Sequence, residues 1–173
     1  LNHRDVVYAR LIQDSYYGEE ASTTVKDTTP PQEANIELSE NTTTIGNSIT
    51  ATVTMIDNES GVNVAESKWV YNTTSGNITD EGSYTNNFTG TNNPQQVTLT
   101  AQTAGTYYLH ILTKDKAGNV TETVSRGVTV GEQLATKIEI SPTTTALGVN
   151  GTKKLSVVFT PDNTSNKSLT WTS

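Results

Sequence analysis

Three aspartates, Asp27, Asp57 and Asp115, stand in or beside stretches rich in Gly, Asn, Ser and Pro, and Asn119 follows the last of them by four positions. Their oxygens are hard ligands, so the chemistry open to them is coordination of Ca2+, which takes roughly six to eight oxygen donors. Each residue could equally make an Asx-type bond to its own turn, and the fold decides which use prevails. Catalytic chemistry is poorly supplied. His3 and His110 are the only imidazoles. His110 is out of phase with Tyr107, Leu109 and Ile111, which puts it on the outer or opposite face of a strand, as a solvated histidine and not a triad member. No two carboxylates are spaced as an acid and a base. The chain has no Cys, which excludes disulfides, thiolate metal centres and a Cys nucleophile together. The expectation is a protein that is not an enzyme, with no cofactor beyond possible Ca2+.

A second group, Trp69, Tyr71, Tyr84 and Phe88, could form a platform on which sugar rings stack. The competing use of such residues is to fill a core.

The elements that would position these groups read as strands. Hydrophobic residues make up only 32% of the 173, while 33 are Thr, so polar β-branched side chains occupy places where a helical protein would use Ala, Leu, Glu and Lys. Ile49, Ala51, Val53 and Met55 alternate with Thr50, Thr52, Thr54 and Ile56, the period-two pattern of a half-buried strand. The same pattern predicts strands near 35–39, 48–57, 67–72, 95–101, 105–115 and 120–130. Asp115 to Asn119 reads as a hairpin loop in which Gly118 takes the positive φ. Residues 73–93, rich in Asn, Thr, Gly and Ser, read as a long excursion with one or two short edge strands.

Few large apolar residues means thin cores, as in several small sandwiches in series. Val7 to Asp14 and Ala21 to Val25, around a Gly-containing loop, repeat the pattern of Tyr107 to Asp115 and Val120 to Val130. Residues 1–27 are therefore expected to be the last two strands and linker of a preceding domain, with Pro30-Pro31 favouring extended chain. Residues 28–131 are expected to form a complete sandwich. Residues 132–173 are expected to be the first half of another, with strands near 137–140, 144–147, 152–160 and 168–172 and with further chain needed to complete it.

The net charge of −7, with Lys153-Lys154 the longest basic run, argues against nucleic acid and anionic membrane surfaces. No apolar run reaches the roughly 18 to 20 residues of a membrane span, and Leu1 opens no signal peptide.

Residues 28–130 resemble the bacterial immunoglobulin-like repeats of large surface proteins and adhesins, through Asp27-Thr28-Thr29-Pro30-Pro31, Ser60-Gly61-Val62, and Gly105-Thr106-Tyr107 leading to Asp115-Lys116-Ala117-Gly118-Asn119. The last segment, 134–173, resembles the opening of a bacterial group 2 immunoglobulin-like domain, through Ile138-Glu139-Ile140-Ser141-Pro142, Gly151 before Leu155, Phe159-Thr160-Pro161 and Leu169-Thr170-Trp171-Thr172-Ser173. The resemblance implies an all-β chain of tandem immunoglobulin-like sandwiches, one complete and two partial. It implies an extracellular place on a cell surface or cell wall, or on a phage virion, and a role as stalk or spacer or as an adhesive, glycan-binding module. Partners would be neighbouring domains of the same chain, with a host glycan or surface protein as the further candidate. In such a sandwich the point where the chain enters, the loop after the second strand and the last hairpin lie at one end, which would bring Asp27, Asp57, Asp115 and Asn119 together as a calcium clamp on the junction. The same fold would bury Trp69 on its third strand, and Trp171 in the next domain.

Overall fold

The computed structural model describes residues 6–9, 12–13, 16–17 and 21–172. Arg10, Leu11, Asp14 and Gly18 of the first segment, the imidazole of His3, and Ser173 at the end of the last segment lie outside the described residues. In that segment β1 (Val6–Ala9) pairs antiparallel with β4 (Ala21–Thr24), and β2 (Ile12–Gln13) pairs with β3 (Tyr16–Tyr17).

The central segment builds two sheets. In the first, β7 (Ser48–Ile56) lies between β5 (Gln32–Leu38) and β10 (Gln95–Thr100), all antiparallel. The second runs in the order β6 (Thr42–Thr44), β13 (Val128–Gly131), β11 (Gly105–Lys114), β8 (Lys68–Asn72), β9 (Asn86–Asn87), with β12 (Val120–Val124) also on β11. The alternation read from β7 is realised: Ile49, Ala51, Val53 and Met55 are buried, and they meet Leu99 of the same sheet and Leu109, Ile111, Val128 and Val130 of the other. Burying that shared apolar surface is what holds the two sheets face to face.

The opening strand changes sheets. After pairing with β7 through β5, the chain turns at Ser39 to Asn41 and β6 joins β13 in parallel, Thr42 opposite Thr129. Three threonines gave no alternation long enough to mark β6 in the sequence. The strand expected over 120–130 is also divided, because the chain leaves regular pairing at Ser125 to Gly127 between β12 and β13. The hairpin between β11 and β12 forms as expected, with Gly118 at φ +99°.

The excursion carries a short edge strand, as expected. It holds a 3-10 turn at Glu81–Ser83 capped by Asp80, adds β9 to the edge of β8, and folds over the outer face of β11. His110, expected in solvent, is consequently buried: Nε2 meets the Thr74 carbonyl at 2.8 Å and Nδ1 meets Glu122 at 3.0 Å. Tyr84 and Leu112 are buried on the same outer side.

In the last segment β14 (Lys137–Ser141) pairs antiparallel with β15 (Ser156–Thr160). Residues 144–147 and 168–172 are not strands. Trp171, expected in the core of a completed sandwich, is 57% exposed, and Ile138, Ile140, Val158 and Leu169 are also exposed, since the two-stranded ladder has no facing sheet among the described residues to cover them.

Candidate metal centre at the first junction

β7 delivers Asp57 at its C-terminal end, the β11–β12 hairpin delivers Asp115, and the chain entering β5 delivers Asp27. One carboxylate oxygen from each lies within 4.8 Å of the other two. Asp27 and Asp115 are buried, and Asp57 is half-buried.

Each aspartate also organises its own loop. Asp115 Oδ1 accepts the N–H groups of Ala117, Gly118 and Asn119 at 2.8, 2.6 and 2.8 Å. Asp57 Oδ2 accepts the Gly61 N–H at 2.5 Å and the Glu59 N–H at 3.3 Å. Asp27 reaches beyond its own turn: Oδ1 accepts the Thr29 N–H at 2.8 Å and Oδ2 accepts the Ser60 N–H, 33 positions away, at 3.1 Å. The Ser60 hydroxyl and these N–H groups outweigh burial and hold the Asp27 carboxyl down at about 2. The three carboxylates therefore cap their own loops and converge at the same time.

Asn119 stands beside the three acids as a donor. Its Nδ2 bonds Asp115 Oδ2 at 2.7 Å and reaches the main-chain carbonyls of Thr29 at 3.3 Å and Asp27 at 3.4 Å, tying the hairpin to the entering chain. A carboxylate not expected from the sequence, Glu59, sits at the rim and accepts the Thr29 hydroxyl at 3.1 Å. Its signal was its place two residues after Asp57 in the same loop. Three clustered carboxylates repel one another, and a divalent ion among them would supply the missing charge while taking their remaining lone pairs.

The opposite end of the central sandwich is bonded to the segment that follows it. Thr44 Oγ1 and Asn47 Nδ2 donate to Gln133 Oε1 at 2.6 and 3.1 Å. Gln133 exchanges two bonds with Ser165, its N–H to Oγ at 2.7 Å and its carbonyl to the Ser165 N–H at 2.8 Å. Asn163 Nδ2 approaches the Ile45 carbonyl at 3.4 Å.

The aromatic group is spent on packing. Phe88 and Tyr84 are buried, and Trp69 and Tyr71 pack against the core, Tyr71 stacking on Tyr107 with ring centroids 5.2 Å apart.

No helix among the described residues is long and apolar enough to cross a membrane. No curated protein and no solved structure matches the chain. The all-β architecture is that of an immunoglobulin-like sandwich, and residues 134–173 match the family described as bacterial Ig-like domain (group 2), whose members are typically found in bacterial surface proteins.

Proposed function

We propose that the chain is a non-catalytic spacer of an extracellular bacterial surface protein, part of a tandem array that holds a distal functional region away from the cell envelope. The observation that carries the reading is the bonding at both ends of the central sandwich. Asp27, Asp57, Asp115 and Asn119 gather at one end, and Gln133, Asn163 and Ser165 meet Thr44 to Asn47 at the other. The nine residues of β7 separate the two ends by roughly 30 Å at about 3.3 Å per residue. Bonded junctions convert that length into reach, whereas free linkers would let the array coil.

Ca2+ is the ion we assign to the aspartate cluster, with a clamping role on the entering chain. The packing of Tyr84, Phe88, Trp69 and Tyr71 weighs for a spacer over a glycan-binding module, which would display such rings.

The test is NMR relaxation of the chain, comparing backbone amides of β1–β4, β5–β13 and β14–β15, with calcium and with chelator. A spacer predicts a shared correlation time, with the first segment freed when calcium is withdrawn. Independent tumbling of all three segments in both conditions would refute it.

A further inference from the structure

β12 holds the entering chain through hydroxyl groups and then stops doing so. Thr121 Oγ1 donates to the Pro31 carbonyl at 2.6 Å, and Thr123 Oγ1, two residues on, accepts the Ala34 N–H at 2.7 Å. The next hydroxyl in that series is Ser125, which is already committed to the Leu109 N–H and the Arg126 carbonyl, each at 2.9 Å. From Ile36 onward β5 therefore meets no hydroxyl of β12.

Nor does it meet a strand on that side. β5 pairs with β7 alone among the described residues, so its other edge is free. The Ser39 N–H donates to the Thr50 carbonyl at 2.8 Å. Bonded positions in an antiparallel ladder recur at every second residue, so Glu37 and Asn35 also turn their main-chain groups towards β7, and Ile36 and Leu38 turn theirs away. By the same rule, the Ser125 N–H bond to the Leu109 carbonyl turns the main-chain groups of Val124 away from β11. A groove of about 500 Å³ runs along these two edges, lined by Ile36, Leu38 and Val124 among others.

Unpaired N–H and C=O groups along an extended strand are matched by the main chain of another extended strand. The alternation of β5 then sets that of its guest. Ile36 and Leu38 are half-buried against the core while Glu33 and Glu37 are exposed, so the guest has one apolar face and one face beside the carboxylates. The groove carries Glu33 and Glu37 against a single guanidinium, Arg126, in a chain of net charge −7, and the outer face of the guest is therefore matched by Lys or Arg. A second copy of β5 is a poor match, because it would bring further carboxylates to an acidic edge.

We propose that the free edge of β5 is a peptide-binding site, which takes an extended segment of alternating apolar and basic residues as an added strand. Such a site gives a spacer a contact along its side in addition to whatever its distal region binds.

The experiment uses the whole chain, labelled with 15N and titrated at physiological salt with a capped hexapeptide of alternating lysine and valine. The same peptide with glutamate in place of lysine is the control. The expected result is amide shifts confined to β5 and β12, with the Ile36 and Leu38 amides gaining protection from hydrogen exchange. The glutamate peptide should bind more weakly by about three- to tenfold, the worth of one or two exposed ion pairs. Glu37→Lys, at an exposed position, should narrow or reverse that preference and leave the fold intact. Leu38→Pro removes an N–H that the β5–β7 ladder does not use, and should abolish the protection at Ile36. Shifts spread over the acidic surface without protection at Ile36 and Leu38, or equal binding of the two peptides, would overturn the proposal. Protection of these amides that grows with protein concentration in the absence of peptide would assign the edge to a second copy and overturn it as well.

Discussion

Leu109 and Ser125 exchange two hydrogen bonds, but only one of them is between main chains. The Ser125 N–H donates to the Leu109 carbonyl at 2.9 Å, while the Leu109 N–H donates to the Ser125 hydroxyl, also at 2.9 Å. The hydroxyl thus takes the place of a carbonyl that the chain has turned away, and it donates in turn to the Arg126 carbonyl at 2.9 Å. This lets the final strand bend between β12 and β13 without leaving a buried donor on β11 unpaired. Close packing finishes the bend: a Cβ on Gly127 would lie 2.9 Å from Thr106 Cγ2, a separation that real Cβ atoms do not show.

Ser125→Ala should therefore destabilise the central sandwich by about 1–3 kcal/mol, the cost of a buried N–H without a partner. Ser125→Thr, which keeps the oxygen, should cost less. Urea denaturation of the two variants checks the order, and equal midpoints would show that the hydroxyl bond is dispensable.

Calcium should raise the melting temperature of the chain by about 5 °C when supplied well above its dissociation constant, and chelator should reverse the rise. Asp57→Asn keeps an oxygen acceptor for the Gly61 and Glu59 N–H groups but removes one charge, so it should abolish most of the calcium response while changing the calcium-free melting temperature little. Differential scanning calorimetry distinguishes this from a purely capping role, for which calcium would shift neither protein.

Asp27 gives a pH signature of its own. Its carboxyl sits at about 2 in the folded chain against an ordinary 3.8, so it stabilises the fold above about pH 4 and gives up that contribution as pH falls from about 4 towards 2. Asp27→Asn should flatten this part of the stability profile measured without calcium. An unchanged acid limb would mean that other carboxylates set it.

Ile111 lies in the middle of the core against both sheets and is fully buried. Ile111→Ala should cost about 2–5 kcal/mol through lost transfer energy and the cavity left behind. The measurement is the denaturation midpoint. A loss below about 1 kcal/mol would show that the facing sheet closes over the gap.

The alternating run in β7 made its buried face legible, because side chains on successive residues of a strand must point to opposite sides. The loop chemistry around Asp115 and Gly118 was legible for a similar reason, since a five-residue hairpin loop needs a positive φ and an acceptor for its exposed N–H groups. β6, the break at Ser125 to Gly127 and the burial of His110 were not. Three threonines carry no periodicity, and a hydroxyl standing in for a carbonyl has no composition signal. A histidine on an outer face looks solvated until the segment that covers it, 36 residues earlier at Thr74, is placed.

By itself the sequence determined the class of this protein: strand-forming, thin-cored, free of cysteine and acidic. Those properties depend on residue type and on spacings of two to five positions, which a linear reading measures directly. Tertiary structure alone decided that Asp27, Asp57 and Asp115 meet within 4.8 Å. It also decided that Glu122 reaches His110 and that Gln133 bonds Thr44. Those pairings join residues 12 to 89 positions apart, and they are fixed by how the strands come together around one apolar core, a relation that spacing along the chain does not contain.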